Sequence, residues 1–519
     1  MQVRSFLSLV YSLALVRPQL VAGTAADQPN VFPRQHQQLS AAQIQRELDG
    51  ILSSRSVIFG VDGARYENAT EPWNTIATPH IQLVVQPGKE ADVSTIVLSY
   101  CNENSLPFLA RNRAHGGASS LNAFTGIQID LSPFSETTIG PSGTSARFGG
   151  GVYGGQAVSY LWERGYVTPT GACDCVSVMG PGLGGGHGRL EGLYGMISDS
   201  ILQLNVVLGN GTAITVNSTS HPDLFWAMRG AGHNFGIVTS FESKIYPRGP
   251  ETWHYHNYVW DGEHLEVLFR ALNALHGNGV GSTPVNMAQN WGSFFMNETI
   301  DAQNPLIQWY FAYRGSAEEA APLLAPLDAI PALSEESGDL PYPGIAATQG
   351  LGEESAVCQH GYRIISATAG LQVYNVTAER QIFESFRRRI GSNRALARGG
   401  VIEHDGYSTA GVEAHNPDDS AYPFRTDRHL MLINIGIAPD NTDSELEREA
   451  WEWAGEVRDL WNAGQPGREV HAYVNYANGF ESVEEKYGHE AWRLERLRAL
   501  KKRYDPDNRF RFYNPIVQD

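Results

Sequence analysis

The sequence predicts an α+β protein built in two parts, and three observations carry that expectation. The chain has 519 residues, too many for one small core. Up to about residue 250, short β runs alternate with helices and with glycine-dense turns. Near Pro250 the character changes. From Trp253 to about Leu460, aromatic strands alternate with helices, the pattern of one sheet covered on one face.

Each element has a local reason. A helical pattern from about Ser40 to Ile51 precedes short strands at Val57 to Phe59 and Ile81 to Gln86. Ala91 to Asn104 reads as an amphipathic helix, and Pro107 to Arg111 as a strand leading into a turn around His115. Gly126 to Leu131 alternates as a strand should, and Gly154 to Arg164 reads as a helix. Ile201 to Leu208 and Thr212 to Val216 flank Gly209-Asn210-Gly211, the turn chemistry of a hairpin. Leu224 to Gly230 is a short helix ending at glycine. In the second part, strands are expected at Tyr255 to Trp260, Gln308 to Arg314 and His429 to Gly436. Helices are expected at Glu263 to His276, Ala317 to Leu327, Thr377 to Arg388 and Ser444 to Leu460. A basic helix from Glu490 to Tyr504, a turn at Asp505-Pro506-Asp507-Asn508 and a last strand from Phe510 to Tyr513 complete the pattern.

Composition narrows the class. Apolar residues make up 42% and charged residues 18%, as in a folded globular protein without long disorder. A formal net charge of -18 disfavours nucleic acid or an anionic membrane as partner. Residues 1–25 combine Arg4, an apolar stretch from Phe6 to Val16 and small residues at Ala22-Gly23-Thr24-Ala25. That is the pattern of a signal peptide, so secretion or the secretory pathway is expected. Sequons at Asn68, Asn210, Asn217, Asn297 and Asn375 are compatible with that route. No later stretch is apolar and long enough to span a membrane, and a monomer is expected. Cys101, Cys173, Cys175 and Cys358 do not make a disulfide-dense scaffold. Cys173 and Cys175 suit a mutual bridge poorly in an extended segment. Without a matching Cys or His pair they do not suggest zinc, so no metal is expected.

Two segments carry chemistry. In Arg111-Asn112-Arg113-Ala114-His115-Gly116-Gly117 a glycine-ended turn follows a strand. Such a turn exposes backbone N–H groups able to cradle a pyrophosphate, with Arg111 and Arg113 alongside and an imidazole at the tip. Taken alone, the same segment reads as readily as a surface loop with a solvated histidine. In the second segment, Cys173-Asp174-Cys175-Val176 precedes Gly180, Gly182, Gly184, Gly185, Gly186 and Gly188. Glycine at that density costs backbone entropy and marks close approach to something, a flat ring or a diphosphate among the candidates; a structural turn is the plainer alternative. Further on, Arg229-Gly230-Ala231-Gly232-His233-Asn234-Phe235-Gly236-Ile237-Val238-Thr239 again sets glycines beside a β run.

These segments are followed in order by Tyr473-Val474-Asn475-Tyr476 and by Tyr504-Asp505-Pro506-Asp507-Asn508-x-Phe510. The series resembles the FAD-linked oxidoreductases of the berberine-bridge-enzyme-like family, whose flavin domain is of the vanillyl-alcohol-oxidase type, and is closer to fungal members. The resemblance covers about 40–250 and 465–519 well and the middle only in general pattern. It implies a two-part FAD-binding domain, 40–250 and 465–519, and an antiparallel-sheet substrate domain, 251–464, covered by helices. It also implies one FAD tethered twice, through His115 to the flavin 8α-methyl and through Cys173 to C6. Arg111, Asn112, Arg113, Ala114, Gly116, Gly117, Gly180, Gly184, Gly185, Gly186, Gly236, Ile237 and Asn475 would surround it. Tyr476 matches the catalytic base of several relatives. Val176 matches a gate position at which valine tends to admit dioxygen. The sequence departs from the family in three places: Arg113 and Ala114 stand where it often has glycines, Ser177 replaces a frequent glycine, and Cys175 offers a second attachment candidate.

Oxidation by a flavin needs a base for the substrate's proton. A tyrosine serves only if its pKa falls well below about 10, through nearby positive charge or hydrogen bonds. The expected function is an FAD-dependent oxidase removing two electrons from a small organic substrate of secondary metabolism, with dioxygen as acceptor. One alternative is a carbohydrate oxidase giving a lactone, with Trp253, Tyr255, Tyr258, Trp260, Trp309 and Tyr310 stacking on sugars. The other is a flavin-binding protein with little turnover. His187, His233 and His471 are site-lining candidates at most.

Overall fold

Buried apolar runs set the first sheet. In the computed structural model, which describes residues 40–517 apart from positions 62, 439, 440 and 442, strands Val57–Phe59, His80–Gln86, Thr125–Asp130 and Phe108–Arg111 lie side by side in that order. The expected signal peptide at 1–25 lies outside the described residues. The first pair is antiparallel and the other two are parallel. Leu83, Val84, Val85, Ile127 and Ile129 are all buried, as parallel strands covered on both faces require. Helix Glu90–Ile96 and the π-helical turn Val97–Asn102 make the crossover that a parallel pair needs. Strand Phe108–Arg111 then delivers the chain at its carboxyl end into the His115 turn.

The second sheet is antiparallel, in the order Thr137–Ile139, Ser145–Gly149, Ile237–Lys244, Ile201–Val207, Ala213–Asn217. The expected hairpin is present, its turn including Gly211 at φ 83°. Leu494, Leu497 and Leu500 of helix Ala491–Tyr504 share a core with Phe148, Leu204 and Phe241, so the end of the chain packs back on this sheet.

The third sheet has seven strands, all antiparallel: Ser334–Leu340, Trp253–Trp260, Leu306–Tyr313, Met287–Phe295, Gly400–Gly406, His429–Ile437, Arg363–Leu371. Helices Leu265–Leu275, Ala317–Asp328, Val376–Ser392 and Ser444–Ala463 share one core with it, so the sheet has a helical face and an open one. Period-two alternation divides the side chains. Along Gly400–Gly406, Ile402 joins the helical core, while Glu403 and Asp405 face a cavity. Four of these strands do not stand out in the sequence, for a physical reason. Ser334–Leu340 is a polar edge strand, and Met287–Phe295 carries Gln289 and Asn290 where an apolar alternation would mark a strand. Among the described residues no helix is long and apolar enough to cross a membrane.

The expected last strand, Phe510 to Tyr513, is not formed. That segment instead wraps a buried ion pair. Lys501 Nζ donates to Asp505 Oδ2 at 2.6 Å, to the Asn234 carbonyl at 2.8 Å and to the Phe510 carbonyl at 2.9 Å. The Asp505 carboxylate also accepts from the Arg509 and Phe510 N–H groups at 2.8 and 2.9 Å. These bonds account for Asp505 in the Tyr-Asp-Pro-Asp-Asn motif without any direct role at a cofactor. Breaking a buried pair leaves the partner charge uncompensated. Asp505→Asn should therefore lower the unfolding free energy in urea by about 3–5 kcal/mol, with little change in slope.

Candidate active site

A cavity of about 780 Å³ lies between the glycine turns and the open face of the seven-stranded sheet. One wall is the His115 turn with Cys173, Val176, Gly180, Gly236 and Ile237. Trp291, Glu403, Asp405, Leu432 and Asn434 form the sheet side, and Asn475 and Tyr476 come from the C-terminal segment. Arg111 to Gly117, expected at the site, line it throughout.

The turn is tight because Ala114 takes a left-handed φ of 54°, a conformation that normally favours glycine. It is held there partly by its carbonyl, which accepts from the Trp73 N–H at 3.2 Å. The His115 ring stacks on Trp73, centroids 5.3 Å apart, and its Nε2 lies 3.5 Å from Cys175 Sγ. Burial, with His360 and Arg113 adding repulsion, pushes the imidazole down to about 3, so it is neutral and keeps a free lone pair at physiological pH. Gly116 packs against the Tyr513 ring, where a Cβ would come within 2.6 Å. Arg113 Nε donates to the Cys175 carbonyl at 3.0 Å with its guanidinium over the Tyr153 ring, and Arg111 donates to the Glu71 carbonyl at 3.2 Å. Both line the cavity and also stitch the turn to neighbouring segments.

Cys175 is joined to Cys358 by a disulfide, so Cys173 is the free thiol of the cavity wall. Burial pushes that thiol up to about 11. Gly184, Gly185 and Gly186, expected around the cofactor, are not among the residues that line the cavity. A Cβ at Gly184 would strike Asn475, one at Gly185 the Tyr422 ring and one at Gly186 Ile197, while Gly185 and Gly186 have φ of 103° and 86°. The glycine run is packing behind the wall. It lets Asn475 seat, with Nδ2 donating to the Pro181 carbonyl at 2.9 Å.

Tyr476 donates to Asp405 Oδ2 at 2.7 Å. The lowered tyrosine pKa expected from the sequence is not produced. Burial and the Asp405 carboxylate push Tyr476 well above its ordinary value, because no cation faces its oxygen. Burial also pushes Asp405 up to about 6 and Glu403, which accepts from Asn434 Nδ2 at 3.1 Å, up to about 8. The sequence reading missed both carboxylates. Their signal was the alternation Glu403-His404-Asp405 within an otherwise apolar run. His187 lines the cavity but is engaged by Glu191 and Tyr422 at 2.9 and 2.7 Å, and His471 pairs with Asp427. Of the aromatics offered for sugar stacking, Trp253, Tyr258, Trp260 and Trp309 are core residues and none of the six lines the cavity. Trp291, stacked on Tyr310, does line it, as do Tyr407 and Tyr473.

The residues present fit an FAD. Arg111, Asn112 and His233 line this cavity, and each keeps a buried polar atom (Nε, Oδ1 and Nδ1) without a partner. His233 Nε2 must donate to the Gly180 carbonyl, 2.8 Å away, so its Nδ1 is an acceptor. A neutral imidazole and a free thiol, each within 3.5 Å of the same Cys175 sulfur, stand on one wall.

Comparison with known proteins gives the class, an FAD-linked oxidoreductase. Residues 81–217 match the FAD binding domain family and residues 472–517 the berberine and berberine-like family. An FAD-linked oxidoreductase of Pyricularia oryzae is 47% identical over 506 residues, 96% of each chain, and one of Pestalotiopsis fici is 46% identical over 98% of each. The chain belongs to the berberine-bridge-enzyme-like family of FAD-linked oxidoreductases. The fold is shared with solved structures of low identity. A chitooligosaccharide oxidase superposes with a TM-score of 0.73 at 19% identity, covering 92% of this chain and 99% of its own. A 6-hydroxy-D-nicotine oxidase from Arthrobacter nicotinovorans gives 0.73 at 23%, covering 90% and 99%.

Proposed function

We propose that this protein is a secreted oxidase carrying FAD on two covalent links, His115 and Cys173, and that it oxidises a small, largely apolar natural product. The observation that carries the reading is the placement of a neutral His115 and the free Cys173 thiol around one disulfide sulfur on the cavity wall. Bound FAD supplies the two-electron acceptor. The chain's own groups hold the substrate and move its proton. Trp291, Leu432 and Tyr407 offer apolar surface opposite the turn. Glu403, protonated below about 8, can donate to a substrate oxygen. Tyr476 accepts the substrate's proton as its own passes to Asp405, so the two act as one base and the raised tyrosine pKa is no obstacle. An alcohol or a C–H/C–N centre meets these requirements.

The tether is tested by acid precipitation. Yellow colour should stay with the pellet, and one FAD should appear in the intact mass. His115→Ala or Cys173→Ala alone should retain one link, and the double variant should release the flavin to the supernatant. Colour released from the unmodified protein would refute covalent attachment.

The base pair has a pH signature. Asp405 must be ionised to take the proton, so kcat/KM should fall as pH drops below about 6. Asp405→Asn and Tyr476→Phe should each lose about 10²–10⁴-fold in rate. A retained acid limb in Asp405→Asn would assign that limb to another group.

Val176 on the cavity wall supports dioxygen as the acceptor. Val176→Leu should slow reoxidation by dioxygen in stopped flow while leaving anaerobic reduction by substrate unchanged.

The leader-like residues 1–25 and the exposed sequon residues Asn68 and Asn210 support the secretory route. Mass analysis of protein from the culture medium should find the leader removed and glycans at those sites.

A further inference from the structure

Three sulfurs meet behind the wall, of which Cys173 alone lines the cavity. Cys175 is bonded to Cys358, 183 residues along the chain. The Cys173 sulfur lies 3.4 Å from Cys175 Sγ and 3.8 Å from Cys358 Sγ, so a free thiol touches both atoms of the bridge. Exchange proceeds by in-line attack of a thiolate on a disulfide sulfur; the near-equal distances place Cys173 Sγ beside the bridge, so its side chain must rotate into line with the bond before it attacks. Nothing in the oxidase chemistry above uses Cys358.

We propose that Cys173 exchanges with the Cys175–Cys358 bridge, so that the bridge selects which of Cys173 and Cys175 presents a thiol to the cavity. The consequence for flavin attachment rests on the tethered-flavin reading; the exchange itself does not. In the exchange, the Cys173 thiolate bonds to Cys358 Sγ, the Cys175–Cys358 bond breaks, and Cys175 leaves as a thiolate that takes up the proton Cys173 lost. No oxidant or reductant is consumed. Attack on Cys175 Sγ would instead close a bridge across Asp174 alone, a spacing that fits disulfide geometry poorly, so Cys358 is the productive partner. Once Cys173 carries a thioether the nucleophile is gone and the Cys175–Cys358 pairing is frozen. Until then the pairing keeps Cys175 from competing for the flavin.

The rate is set by the thiolate fraction. Burial holds the Cys173 thiol at about 11, Asp174 and Glu403 push the same way, and the Cys175 N–H and Arg189 oppose them. His115, on the other side of the Cys175 sulfur, stays neutral. Exchange is therefore slow at neutral pH and speeds up about tenfold per pH unit below that value.

The test uses the full-length protein produced under riboflavin limitation, so that flavin-free chains are present. Samples held at pH 7 and pH 9 without added thiol are acid-quenched, alkylated and digested without reduction, and linked peptides are mapped by mass spectrometry. In flavin-free chains, Cys358 should be found joined to both Cys175 and Cys173, the mixture forming about a hundredfold faster at pH 9. In chains with flavin on Cys173 it should be joined to Cys175 alone. Cys358 joined only to Cys175 in flavin-free chains at both pH values overturns the proposal. In Cys358→Ser the flavin thioether should appear on both Cys173 and Cys175; its confinement to Cys173 would overturn the selecting role. Absence of flavin from either cysteine of the unmodified protein would defeat the tether reading, while the same digest still decides the exchange from the disulfide map.

Discussion

The site depends on one constraint, the stitching of the loop around residues 349–364 to two segments of the first part. His115 and Cys175 are 60 residues apart in sequence and 3.5 Å apart in space. The loop reaches both. Trp73 Nε1 donates to the Val357 carbonyl at 2.7 Å and the Asp174 N–H to the Leu351 carbonyl at 2.9 Å. Asn74 exchanges two hydrogen bonds with Ile364, and Cys358 closes on Cys175. Arg113 completes the join from the turn itself. Because Trp73 also carries the His115 ring, one set of bonds fixes the imidazole, the thiol and the edge of the seven-stranded sheet together. Backbone partners suit this work, since a buried carbonyl left unpaired costs as much as the bond it would make.

Burial then acts on five titratable groups of the cavity in one direction. It lowers His115 and raises Cys173, Asp405, Glu403 and Tyr476, in each case favouring the neutral form. A site so arranged keeps an imidazole lone pair available and holds a carboxylic acid able to donate. Of Asp405 and Glu403, Asp405 is the more acidic and is the one bonded to Tyr476. In the proposed reaction, the coupling of Asp405 and Tyr476 replaces the lowered tyrosine pKa that a lone base would need. The same burial makes the Cys173 thiol a slow nucleophile, so its chemistry depends on what lies in contact with it.

Much of the fold was legible because it is written in local pattern. The hairpin with Gly211, the helix Ala491–Tyr504 and the strand before His115 each follow from periodicity and turn chemistry, and each is found within a residue or two. Strands Ser334–Leu340 and Met287–Phe295 were not legible. One is an edge whose aromatic partner strand supplies the apolar contact, and the other turns polar residues toward a cavity that no local window can see. The Phe510 to Tyr513 segment misled in the opposite way: it alternates like a strand, but its backbone is claimed by Lys501 and Asp505.

The sequence by itself determined the family, the glycine-ended turn with His115 at its tip, the thiol-bearing segment and the tyrosine near the end of the chain. Ordered motifs are a one-dimensional signal and survive without a structure. Only the tertiary structure decided that Cys175 belongs to Cys358, that Gly184 to Gly186 are packing, and that Asp405 stands behind Tyr476. Each of these is a relation between segments far apart in the chain, and such distances are set by sheet register and burial, which no single stretch of sequence encodes.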